Sequence, residues 1–213
     1  MPLLLTRKAA YNTKVAVWKA TENNKFFQDQ LHLDSSEVHE LGQMRAHRQR
    51  EWLSSRYLLH WLSGDQNRRF ISKTMTGKPY RVDCGRCISI SHSRELVAVV
   101  ISDTTVGIDI QKKEDKIVRI QHKFVSEEER SRLPEEKLKK YYHVFWGAKE
   151  AMYKAYGLKK LEFKEHMHVF PFVLGNEITE IKGKVEKGEI LQYYDLEVEK
   201  VEDAFLVVCR LIQ

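Results

Sequence analysis

Residues 106–111, Val-Gly-Ile-Asp-Ile-Gln, alternate apolar and polar positions with a period of two, the pattern of a strand whose two faces differ. Val106, Ile108 and Ile110 share one face, and Gly107, Asp109 and Gln111 the other. The same alternation marks residues 14–18 as a strand. Residues 87–91 and 95–102 read as adjacent strands joined by a short polar turn at His92-Ser93-Arg94. Towards the C-terminus, residues 166–174, 176–182, 190–201 and 204–212 are all strand-like. Between these runs the period changes. Residues 35–64 are helical, with serines in front and Gly64 behind, and residues 116–133 continue as mixed-charge helical material. A long helix is expected from Pro134 to Gly157, with Tyr141, Phe145, Ala148, Met152 and Ala155 as its buried stripe.

Strand, helices and strands, followed by strand, helices and strands, predict an α+β protein of two similar α/β lobes. The lobes would meet near residue 105, giving an N-terminal lobe over 1–105 and a C-terminal lobe over 106–213. The repeat is architectural, since the halves share no visible sequence identity. At 213 residues and 42% hydrophobic, the chain can bury a real core. It has no run of eighteen apolar residues, and the apolar stretch at its N-terminus is too short for a signal peptide, so a soluble cytoplasmic protein is expected. Three cysteines suit a reducing compartment better than a disulfide framework. A net charge of +6 suggests an anionic partner without choosing one.

A carboxylate on a core strand is costly unless something pairs with it, which makes Asp109 the position to explain. The best counterpart lies in residues 145–157, Phe-Trp-Gly-Ala-Lys-Glu-Ala-Met-Tyr-Lys-Ala-Tyr-Gly. Off the buried stripe, Lys149, Glu150 and Lys154 cluster, with Glu150 and Lys154 four residues apart on one face. An ordinary solvated pair would contribute only ~0.3–0.5 kcal/mol. Two separated carboxylates beside an ammonium would instead suit Mg²⁺ shared with substrate phosphates. Upstream, Thr76-Gly77-Lys78-Pro79-Tyr80 reads as a turn presenting Lys78, and residues 89–93 offer hydroxyls and His92 at a strand end.

Taken in order, Gly-Lys-Pro-Tyr, Ser-Ile-Ser-His-Ser, Val-Gly-Ile-Asp-Ile and Trp-x-x-Lys-Glu-Ala-x-x-Lys resemble the 4′-phosphopantetheinyl transferase superfamily, in its two-lobe, surfactin-synthetase-activating form. The resemblance implies a monomeric, Mg²⁺-dependent enzyme of the holo-acyl-carrier-protein synthase kind, with its active site at the lobe junction. Such an enzyme moves the phosphopantetheine arm of coenzyme A onto a serine of an acyl or peptidyl carrier protein and releases 3′,5′-ADP. It would serve fatty-acid, polyketide or nonribosomal peptide synthesis. Carried over by motif, Asp109, Glu150 and Lys154 are catalytic, and Asp109, Gln111 and Glu150 surround the metal. Coenzyme A would be held by Arg48, Arg50, Lys73, Lys78, Ser91, His92 and Lys149. Arg56 belongs to the same basic helix as Arg48 and Arg50, and Glu128 to a segment supporting the site. Two departures from the family pattern stand out: Gln111 replaces an acid common two residues after the aspartate, and Ser89 replaces an asparagine.

Two rival readings were weighed. Cys84 and Cys87 form a Cys-x-x-Cys, but structural zinc wants four ligands and no second such pair exists. Residues 45–52, with four basic side chains and Trp52, suggest a nucleic-acid-binding protein without catalysis. No recognition motif accompanies them, so neither a nucleic-acid nor a membrane partner is expected.

Overall fold

The computed structural model describes residues 2–82, 84–158, 160–175 and 177–212. In chain order, the first part carries β1 (Leu3–Ala9), β2 (Thr13–Lys19), α1 (Asn24–Leu31), α2 (Ser35–Gly42), α3 (Ala46–Ser63), β3 (Ile71–Lys73), β4 (Pro79–Arg81), β5 (Cys87–Ser93) and β6 (Leu96–Ser102). The second carries β7 (Val106–Lys112), α4 (Lys116–Ile120), α5 (Glu127–Ser131), α6 (Leu138–Tyr156), α7 (Phe163–His166), β8 (Met167–Val169), β9 (Thr179–Lys187), β10 (Ile190–Val201) and β11 (Ala204–Leu211). The fold is mixed α+β. One antiparallel sheet has the order β1-β2-β6-β5, a second has the order β7-β11-β10-β9-β8, and β3 and β4 form a separate hairpin.

Side-chain alternation explains how these elements stack. On β6, Val97, Val99 and Ile101 pack with Trp18 and with Phe27, Leu53 and Leu58 of α1 and α3. Its other face, Leu96, Ala98 and Val100, joins Val15 and Val17 against Ile108, Ile110, Leu206 and Val208 of the second sheet. The opposite face of β11, Val207 and Cys209, meets the α6 stripe of Tyr141, Phe145, Ala148, Met152 and Ala155. The layers therefore run helices, sheet, sheet, helix. A strand buried on both faces reads as a continuous apolar run, as residues 96–101 do.

The two sheets also meet at their edges, where β5 lies beside β7. Ser89, Ser91 and Ser93 accept hydrogen bonds at Oγ from the backbone N–H groups of Ile108, Ile110 and Lys112, at 3.2, 3.2 and 3.1 Å. Across the layer, Arg7 of β1 pairs with Glu197 and Glu199 of β10 at 2.5 and 2.6 Å.

Local differences from the sequence expectation have identifiable causes. Residues 35–64 form two helices: α2 opens with an Asp34–Glu37 capping box, and the chain breaks over residues 43–45 before α3 closes on Gly64 at φ 70°. The expected turn at residues 92–94 shifts, because β5 continues through Ser93 and Arg94 takes the left-handed φ of 56°. Of residues 166–174 only Met167–Val169 form a strand; Phe170 adds one bond to the carbonyl oxygen of Lys182 at 2.9 Å, and Pro171 has no N–H with which to extend the ladder. Strand β1 and helix α1 were not apparent in the sequence pattern. Among the described residues, no helix is long and apolar enough to cross a membrane.

Candidate active site

Asp109 sits on the face of β7 that looks away from the inter-sheet layer and towards α6, at 6% exposure. Two glycines let helix and strand approach there. A Cβ on Gly107 would lie 2.0 Å from the carbonyl oxygen of Ala151, so the helix backbone rests directly on the strand. A Cβ on Gly147 would lie 2.9 Å from Val207 Cγ2 and 3.7 Å from Asp109 Oδ2. Neither glycine was singled out from sequence, although each interrupts a recognised motif.

The opening question, what pairs with Asp109, has two answers in the structure. Ser91 Oγ donates to Asp109 Oδ1 at 2.9 Å, and Lys154 Nζ donates to the same oxygen at 2.8 Å. Lys154 also donates to Ser91 Oγ at 2.9 Å and to the carbonyl oxygen of Ile108 at 3.0 Å. Glu150 lies one helical turn before Lys154. Burial pushes its carboxyl pKa up, the Asp109 charge pushes it further in the same direction, and Lys154 only partly opposes both. Gln111 shares the Asp109 face of β7, and its Oε1 is buried without a hydrogen-bond donor. Two like-charged carboxyls and an unpartnered amide oxygen form an oxygen-only donor set that a hard divalent cation fits. Among the described residues no group of three or more His, Cys, Asp or Glu is poised for a metal.

Residues 105–201 match the model of the 4′-phosphopantetheinyl transferase superfamily. No curated protein matches the chain. The superfamily match covers a little under half of the chain, from the start of β7 to the end of β10. It includes Asp109, Gln111, Lys149, Glu150 and Lys154, and excludes Arg48, Arg50, Lys73, Lys78, Ser91 and His92.

The excluded residues lie at varied distances from this centre. His92 continues β5 past Ser91, and its Nδ1 is 3.5 Å from Glu51, which Arg48 pairs at 2.8 Å. Burial pushes the His92 pKa down; Glu51 opposes this, while Lys154 and Arg48 add to it. Arg50 opens onto a different cavity with His47, Glu51, Ser54 and Arg94. Lys73 is exposed on the β3–β4 hairpin. Lys78 lines a cleft of about 140 Å³ together with Gly77, Ser89, Tyr153, Lys154 and Gly157. Its ammonium, however, donates to the carbonyl oxygen of Ala155 at 2.6 Å and so caps the C-terminus of α6.

Three expectations are corrected by burial. Lys149 is 0% exposed and cannot meet a coenzyme: its Nζ forms a 2.8 Å ion pair with Glu129. Glu129 Oε2 also accepts from the backbone of Ser126 at 2.8 Å, and its Oε1 from that of Val169 at 3.0 Å. The acid that supports α6 is therefore Glu129; Glu128 is exposed and pairs with Arg132. Arg56 is no free basic side chain either, since it stacks 3.6 Å over Trp52, and burial lowers its pKa to about 10 against the charges of Glu40 and Glu37. Trp52 itself is buried and donates to Glu40 at 3.2 Å, so this ring is not free to stack on a base. Cys84 and Cys87 are free thiols.

Proposed function

We propose that the protein transfers the phosphopantetheine arm of coenzyme A to a serine of an acyl or peptidyl carrier protein, releasing 3′,5′-ADP, as a Mg²⁺-dependent cytoplasmic monomer. The observation that carries the reading is the like-charged pair of Asp109 and Glu150 beside the unpartnered Gln111 Oε1, in a segment similar to a transferase superfamily. Asp109, Glu150 and Gln111 would hold Mg²⁺, which when bound supplies positive charge to the pyrophosphate oxygens. In the reaction the carrier serine oxygen bonds to the β-phosphorus, the bond from that phosphorus to the bridging oxygen breaks, and the hydroxyl proton must leave. Glu150 would take that proton, directly or through a water. Lys154 would turn its ammonium from Asp109 towards the phosphates, a short movement for a flexible side chain. Lys78 lines the cleft through which the coenzyme would reach the centre, and His92, whose pKa burial lowers, continues β5 past Ser91.

Mass spectrometry of carrier proteins incubated with coenzyme A, Mg²⁺ and this protein tests the reading. A phosphopantetheine adduct on the carrier serine is expected. Unmodified carriers from fatty-acid, polyketide and peptide pathways, with Mg²⁺ or Mn²⁺ present, would overturn it.

A further inference from the structure

The serine hydroxyls between β5 and β7 do unequal jobs. Strand β7 is the edge of its sheet, and the N–H groups of Ile108, Ile110 and Lys112 point away from β11 towards β5. An unpaired edge donor that is buried is costly, and each serine supplies an acceptor. For Ser89 and Ser93, that is the contact described. Ser91, at 4% exposure, does more. A hydroxyl has one proton and two lone pairs. Ser91 gives its proton to Asp109 Oδ1 at 2.9 Å and accepts from Ile110 N at 3.2 Å and from Lys154 Nζ at 2.9 Å. Its hydrogen-bonding capacity is filled by the protein.

We infer that Ser91 is a positioning residue, not a coenzyme ligand: it holds Asp109 in place while tying the two sheets together. The inference deepens the proposed transfer reaction and, for its effect on rate, rests on that reading. Its geometric content is that Ser91 fixes one carboxylate oxygen, Oδ1, while Oδ2 faces the space opened by Gly147. A carboxylate held by one oxygen offers the other in a defined direction, which is what a metal or phosphate site needs. The Ser93 rung provides an internal control, because removing its hydroxyl loosens the same edge without touching Asp109.

The test compares Ser91→Ala, Ser91→Thr and Ser93→Ala. In transfer assays Ser91→Ala is expected to lower kcat about 10- to 100-fold with KM for coenzyme A within about twofold, and Ser91→Thr to recover most of the loss. Ser93→Ala is expected to keep kcat within about threefold. A raised KM at unchanged kcat in Ser91→Ala would make Ser91 a ligand contact and overturn the inference. An equal loss of kcat in Ser93→Ala would reduce it to a general structural role and overturn it too. Amide hydrogen exchange is read in parallel and needs no activity: Ile110 should exchange faster in Ser91→Ala and regain protection in Ser91→Thr. Unchanged exchange at Ile110 in Ser91→Ala would overturn the inference whatever the reaction proves to be. Failure of the unaltered protein to modify any carrier would instead fall on the proposed function, leaving the exchange result to decide the role of Ser91.

Discussion

Helix α6 carries two lysine–carboxylate pairs five residues apart, and they are opposites. Lys149 and Glu129 are 0% and 6% exposed, and both oxygens of Glu129 are engaged, by Lys149, Ser126 and Val169. The side chains of Lys154 and Asp109 are 27% and 9% exposed, with Glu150 and the unpartnered Gln111 oxygen on the same side of β7. In the first pair each charge is answered inside the protein and both carboxylate oxygens are engaged, and the result is a clamp joining α6 to α5 and β8. In the second, negative charge outnumbers positive and one acceptor is unmet. Buried groups left unbalanced in this way mark the place where something from outside completes the set.

The contrast is best broken by exchanging the expected outcomes. Asp109→Ala and Glu150→Gln should each reduce carrier modification about 10²–10³-fold or more, with circular dichroism unchanged, since each removes charge from the site and little from packing. Near-normal turnover in either variant would make this pair another clamp. Lys149→Met should do the reverse. Stranding the Glu129 charge should cost about 3–5 kcal/mol in urea unfolding, while the fraction that remains folded still transfers. Gln111→Ala should retain transfer within about tenfold, and Gln111→Glu should tighten Mg²⁺ binding by calorimetry in the absence of coenzyme A, because a charged oxygen replaces a neutral one.

The smallest effect concerns pH. The folded-state pKa of Glu150 is raised, so the native state holds that proton more tightly than the unfolded chain does. Its contribution to stability is therefore present below the ordinary carboxylate range and falls as pH rises through the raised value. Glu150→Gln should then melt a few degrees higher at most than the unaltered protein at pH 7, with the difference vanishing near pH 4. A lower melting temperature at pH 7 would place Glu150 among the stabilising residues and erase the distinction between the two pairs.

Much of this was legible before the structure. Period two placed Asp109 on the face opposite Ile108 and Ile110, and period 3.6 placed Glu150 and Lys154 off the buried stripe of α6. Lys149 was misread because neighbouring positions on a helix diverge by about 100°, and the element waiting on that side lies twenty residues upstream. A signal was available there: Ser126 and Glu129 have the spacing of a capping box, which marks Glu129 rather than Glu128 as the inward acid. Gly107 and Gly147 could not be read as a contact from sequence, because backbone proximity between a strand and a helix leaves no periodic trace. Strand β1 was missed because it is a sheet edge with mostly half-buried positions, so its alternation is weak.

The sheet order bears on how the molecule is made. Strand β7 has one main-chain partner, β11, whose residues 204–211 are synthesised almost a hundred residues later. Until that segment leaves the ribosome, Ile108 and Ile110 have no strand beside them from their own sheet. The support for Asp109 is thus complete only when β11 enters between β7 and β10.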